Sequence, residues 1–163
     1  MQKRTEAPPL KPREFITEVW LPGRLTDIFA FFADARNLEV LTPGWLKFRI
    51  LTPGPIEMRT GALIRYRLKL RGIPISWLTE ITAWEPPHRF VDEQRRGPYR
   101  LWIHEHRFQE KDDGTLMTDS LRYAVPGGIL VDRLFVRRDV ERIFAFREAR
   151  MRELFGRTSQ GPD

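Results

Sequence analysis

The stretch ILVDRLFVRRDVERIFAFREARMRELF, residues 129–155, holds neither glycine nor proline, and Gly156 follows where a helix C-terminus favours one. On a helical wheel at about 100° per residue, Val136, Val140, Ile143, Met151 and Leu154 share one narrow arc. This predicts a long helix with a single apolar stripe. Arg147 lies in the middle of that arc. A charge facing a core is costly unless it is paired. Arg147 is therefore expected to be buried against a carboxylate, with Asp119, Asp92 and Glu93 as candidates in that order.

The chain before this helix has a different period. EFITEVWL (14–21) alternates apolar and polar residues, which predicts a strand ended by Pro22-Gly23. Leu25, Ile28, Phe29 and Phe32 then have helical spacing, and Asp34 opens a second short helix, DARNLEVL (34–41), stopped by Thr42-Pro43-Gly44. Six further strands are predicted: WLKFRIL (45–51), LIRYRLKLRG (63–72), ISWLTEITAW (75–84), RFVDEQ (89–94), RLWIHEHRFQ (100–109) and TLMTDSLRYAV (115–125). Short turns at Gly72 with Pro74, Pro86-Pro87, RRGPY (95–99) and Asp112-Asp113-Gly114 join them, as in an antiparallel meander. The expected fold class is α+β. A curved antiparallel sheet of about seven strands wraps a long C-terminal helix, and two short helices after the first strand plug one end.

At 163 residues the chain has the length of one domain, placed at 14–156. Proline-rich, charged residues 1–13 and residues 157–163 are expected to be mobile tails. No apolar run approaches the roughly 20 residues that span a bilayer, and the N-terminus lacks the apolar segment of a secretory signal. Cysteine is absent, which excludes disulfides, thiolate metal sites and cysteine nucleophiles. A cytoplasmic location is the expectation. Net charge is +6, and the stripe Arg65, Arg67, Lys69, Arg71 falls on one strand face. Such a row could meet phosphate on RNA or lipid headgroups. It lacks the interleaved aromatics of a single-strand binder. Nucleic acid is not an expected partner, and transient membrane-surface contact stays open, as does oligomeric state.

In RLWIHEHRFQ, alternate side chains put Trp102, His104, His106 and Phe108 on one face. The following strand offers Met117, Asp119, Leu121 and Tyr123. Phe90, Asp92 and Gln94 are assigned inward on the strand before, whose parity the pattern leaves open. The expected interior is apolar, with a polar island of His104, His106, Asp119, Asp92 and Arg147. Trp45, Phe48, Tyr66, Leu68, Trp77, Met117, Val140, Ile143 and Met151 would supply the apolar lining. Met58, with Ile129 and Leu130, would form a gate.

Three readings of the island compete. As a metal site, His-x-His on a strand needs a third ligand, which Asp119 or Asp92 could supply, but no spacing announces one. No metal and no cofactor are expected. As a catalytic group, His104 or His106 beside Asp119 could act as general base. Neither Ser76 nor Ser120 sits where a nucleophile would. As scaffold, the island is a satisfied buried cluster that fixes the helix on the sheet.

The segments FADARNLEVLTPGWLKFRI (32–50), PPHRFVDEQRRGPYRLWIHEHRF (86–108), GTLMTDSLRY (114–123) and RIFAFREARMRELFG (142–156) resemble the START-like superfamily, also called SRPBCC or helix-grip proteins. The likeness is to its bacterial polyketide cyclase or dehydrase branch and runs from about residue 14 to 156. It implies a deep, mostly apolar cavity between sheet and long helix, entered near the loops. The superfamily holds lipid carriers, hormone receptors, cyclases, oxygenase domains and co-chaperones. The expected function is binding of a hydrophobic small molecule, lipid-like or polycyclic, in a carrier or sensor role. The alternative is a cyclase or dehydratase acting in the same cavity.

Overall fold

A computed structural model describes residues 11–156. The expected tails at 1–13 and 157–163 lie outside the described residues, apart from 11–13. Among the described residues, seven strands form one antiparallel sheet: β1 (Arg13–Leu21), β2 (Arg49–Ile50), β3 (Leu63–Leu70), β4 (Ile73–Glu85), β5 (Arg89–Arg96), β6 (Leu101–Lys111) and β7 (Gly114–Ala124). Their order across the sheet is β1-β7-β6-β5-β4-β3-β2. Helices α1 (Leu25–Ala33) and α2 (Asn37–Val40) follow β1, and α3 (Gly128–Val131) and α4 (Arg137–Gly156) follow β7.

Alternation explains the strands well. In β3, Ile64, Tyr66 and Leu68 are buried while Arg65, Arg67 and Lys69 face solvent. The turn Arg71-Gly72 has positive φ at both residues (50° and 82°), the geometry of a tight hairpin whose twist matches the flanking strands. It is tighter than the proline-bearing turn expected, so β4 begins at Ile73 and carries Pro74 inside it.

Three elements depart from expectation. The strand predicted at 45–51 is reduced to Arg49–Ile50, because Pro43 and Gly44 lead into a 3-10 turn over Gly44–Leu46 and Lys47 leaves it with φ 47°. Pairing starts only where Arg49 meets Arg67. Helix α2 starts at Asn37, not Asp34. The Asp34 carboxylate instead accepts from the Arg36 backbone N–H at 3.0 Å and from its guanidinium, closing a turn before the helix. The long helix is interrupted by a π turn at Asp132–Val136. There Asp132 is buried, 3.1 Å from Nε of Arg13 on β1, while Leu134 and Phe135 face outward.

Helix α1 plugs one end of the sheet. Phe29 and Phe32 pack on Phe108, with Met117 and Met151 in the same cluster. A second cluster, around Tyr66, Trp77 and Ile81, covers β3 and β4. Helix α4 lies over the sheet through Val140, Phe144, Arg147 and Met151. Space remains between these masses.

Candidate functional site

The register of three strands assembles the polar island. On β6, His104 stands opposite Asp92 of β5, and His106 stands opposite Asp119 of β7. Neighbouring strands bring facing side chains within reach of one another, so both imidazoles meet a carboxylate on each side. His104 Nε2 is 3.1 Å from Asp119 Oδ1, and its Nδ1 is 3.7 Å from Asp92 Oδ2. His106 Nε2 is 2.8 Å from Asp92 Oδ2, and its Nδ1 is 2.7 Å from Asp119 Oδ1. That last contact is a close charge contact outside hydrogen-bond geometry. From α4, Arg147 places Nε 3.5 Å from Asp119 Oδ2, an ion pair without a hydrogen bond. The first-ranked partner expected for Arg147 is thus the carboxylate it faces.

Burial alone would neutralise these groups, yet their mutual attraction outweighs it at three of the four titrating positions. Burial pushes the Asp119 carboxyl up, but Arg147, His106 and His104 together hold it well below the usual carboxylate range. Asp92 is lowered in the same way: burial opposes, and the His106 hydrogen bond with the His104, His106 and Arg147 charges prevail. His106 is raised, since Asp119 and Asp92 overcome its burial. His104 is lowered, by burial first and by the His106 charge second, against the pull of Asp119 and Asp92. The cluster therefore moves the two histidines in opposite directions, favouring the protonated form at His106 and the neutral form at His104.

The island forms part of the wall of a cavity of about 180 Å³ between sheet and helix. Of the expected lining, Phe48, Tyr66, Leu68, Trp77, Asp92, Trp102, His104, His106, Ile143 and Arg147 border it, and Val140 and Met58 do too. Others lie elsewhere. Phe108, Met117 and Met151 are in the closed core beneath, because α1 fills that end with Phe29 and Phe32. Tyr123 packs with Leu121, Val140 and Phe144. Asp119 sits behind the histidines at 2% exposure. Gln94 turns to the β5–β6 loop, donating from Nε2 to the Tyr99 carbonyl at 2.7 Å. Trp45 is half exposed, because the 3-10 turn points it outward against Phe146 and under the Arg142 guanidinium. Ile129 and Leu130 are exposed and do not border the cavity, so only Met58 of the expected gate does.

Sequence reasoning passed over several wall residues. Thr79 and Ile81 follow Trp77 at a spacing of two, so the same alternation carried their signal. Thr79 Oγ1 accepts from Trp77 Nε1 at 3.1 Å and shares a 3.2 Å hydrogen bond with the Tyr66 hydroxyl. Tyr99 comes from a loop, where no period could place it, and Leu38, Leu41 and Thr42 come from the α2 region, where Leu38 and Leu41 stand at helical spacing.

The basic stripe is shorter than expected. Arg65, Arg67 and Lys69 are exposed on the outer face. Arg71 belongs to the hairpin turn, where strand alternation ends, and it swings over the sheet edge to α4. Its Nε is 3.0 Å from Asp139 Oδ2, its Nη2 donates to the Phe135 carbonyl at 3.1 Å, and its guanidinium lies 5.1 Å from the Phe135 ring centre.

The model of the family described as polyketide cyclase / dehydrase and lipid transport matches residues 21–152. No curated protein matches the sequence. Among solved structures, the chain is similar to the Zhui aromatase/cyclase of Streptomyces sp. R1128, with a TM-score of 0.72 at 15% identity, over 93% of this chain and 98% of that one. Protein Ms6760 of Mycobacterium smegmatis gives 0.66 at 20% identity, over 89% and 92%. The major latex-like protein 151 of Panax ginseng gives 0.65 at 12%, over 88% and 97%. At such identities the likeness is one of fold.

Proposed function

Because the chain belongs to the polyketide cyclase / dehydrase and lipid transport family, we propose that it is a cytoplasmic carrier or sensor of a hydrophobic small molecule, lipid-like or polycyclic. Residues 14–156 act as one domain, since β1 and α4 at its two ends pack on the same sheet. The carrying observation is the cavity itself: an aromatic wall of Phe48, Tyr66, Trp77 and Trp102 with one polar patch of Asp92, His106 and Arg147. An apolar pocket with few convergent polar groups binds by burying apolar surface and orients its ligand by those groups. The ligand's body lies along β3 and β4, and its polar end meets the patch.

A second reading, a cyclase or dehydratase, is favoured by one feature. Burial disfavours charge at both histidines, yet the flanking carboxylates raise His106 while His104 is lowered, which sets the better proton holder beside the better proton acceptor, 3.8 Å apart between ring centres. Binding of RNA or a membrane surface through Arg65, Arg67 and Lys69 ranks third.

Native mass spectrometry of the purified protein should show a co-purified hydrophobic ligand. An anilinonaphthalene probe should bind saturably and quench tryptophan emission, and Ile143→Trp, which fills the cavity from α4, should block it in a folded chain. Probe binding that appears only on unfolding would sink the cavity reading.

A further inference from the structure

Asp92, His104 and His106 each present one donor atom, and the three donors lie within 4.8 Å of one another. They come from two adjacent strands and face the cavity. We propose that these three residues bind a divalent first-row transition ion through two imidazole nitrogens and one carboxylate oxygen, leaving its remaining positions open to the cavity.

The distances carry this reading. Ligands bonded at about 2.1 Å to one ion stand about 3.0–3.4 Å apart across adjacent positions. Asp92 Oδ2 is 2.8 Å from His106 Nε2 and 3.7 Å from His104 Nδ1, which straddles that range. Of the other two ring nitrogens, His104 Nε2 is hydrogen-bonded to Asp119 Oδ1 at 3.1 Å, and His106 Nδ1 lies 2.7 Å from the same atom outside hydrogen-bond geometry. A carboxylate behind each metal-bound histidine is the usual outer partner, which sets the tautomer and aims the free nitrogen. Here one buried carboxylate holds the His104 ring by a hydrogen bond and lies against the His106 ring, and Arg147 balances its charge from the far side. Strand register supplies what sequence spacing did not announce, because the third ligand stands directly across from His104 on β5. Two nitrogens and one oxygen are a borderline donor set, suited to Zn²⁺, Co²⁺ or Fe²⁺ and poor for Mg²⁺ or Ca²⁺. A ligand oxygen in the cavity could fill an open position.

The test uses tag-free protein, treated with chelator and dialysed, titrated calorimetrically with Zn²⁺ at about pH 7.5, where the ion displaces any proton held on the ligating nitrogens. One Zn²⁺ should bind per chain, and Mg²⁺ should not compete. Asp92→Asn and His104→Gln should abolish binding, and Asp119→Asn should weaken it about 10–100-fold. His88→Gln, which alters the histidine outside the island, should leave it unchanged. Should the island variants unfold, the visible spectrum of Co²⁺ added to the unaltered chain decides. Intense four- or five-coordinate bands support the site, and the weak spectrum of aqueous Co²⁺ overturns it. Zn²⁺ affinity that survives Asp92→Asn with His104→Gln, or disappears in His88→Gln, also overturns it. A chain that binds the naphthalene probe but no Zn²⁺ loses the metal site alone, so this inference stands apart from the hydrophobic-ligand reading.

Discussion

Replacing Arg147 by methionine removes a guanidinium that is only 8% exposed and lies over the Phe32 ring at 5.7 Å. The change leaves Asp119, 2% exposed, without its cation from the helix. Stranding one member of a buried pair costs about 3–5 kcal/mol, because the remaining charge stays out of water. Two features set the low end here. The Arg147–Asp119 contact is 3.5 Å long and not hydrogen-bonded, and Asp119 keeps both histidines. Methionine also retains apolar contact with Phe32. The expected loss is therefore about 3 kcal/mol, which for a chain of this size lowers Tm by about 6–12 °C. Urea unfolding followed by circular dichroism at neutral pH measures it. The double variant Arg147→Met/Asp119→Asn should be more stable than the sum of the single changes, with a coupling of about 1 kcal/mol or more. Recovery stays partial, since His106 loses one of its two carboxylates. An Arg147→Met variant within about 1 kcal/mol of the original protein, with additive behaviour in the double variant, would refute the buried-pair reasoning.

Two more outcomes are expected. His106 is raised above its ordinary 6.5 by Asp119 and Asp92, so its stabilising contribution is complete below that value and fades as pH rises through the folded value. With chelator present, His106→Gln should cost more stability at about pH 5.5 than at about pH 9; a cost independent of pH would show that the imidazole is not the cation between the carboxylates. His104, lowered by burial and by His106, works in the opposite sense and weakens the fold as pH falls below 6.5. At Gly114, an added Cβ would lie 2.5 Å from the Trp20 ring and 2.7 Å from the Leu21 carbonyl oxygen. Gly114→Ala should cost about 1–3 kcal/mol by overpacking, and a melting temperature unchanged from the original would contradict the close approach of β1 and β7 at that hairpin.

Local periodicity is enough to determine the helical C-terminal segment (though not its π turn at Asp132–Val136), the alternation of β3, β4, β6 and β7, and the inward face that carries His104 and His106. Those features depend on residues close in sequence, whose side-chain directions follow from backbone geometry alone. The charge of Arg147 within an apolar arc likewise announces a buried partner, since burial without one is costly. Depth along a strand is a different matter. Trp102, His104, His106 and Phe108 share a face, yet Phe108 is closed core and the other three border the cavity. The difference is made by α1, which packs Phe29 and Phe32 under one end of the sheet and leaves the other end open. The strand period fails at Trp45 and Arg71, because these residues form a 3-10 turn and a hairpin turn. Above all, only the register of β5, β6 and β7 sets Asp92 opposite His104 and Asp119 opposite His106. A shift of one residue in either pairing would turn a carboxylate to the solvent face. The sequence contains the charged groups, and long-range strand pairing decides which of them meet.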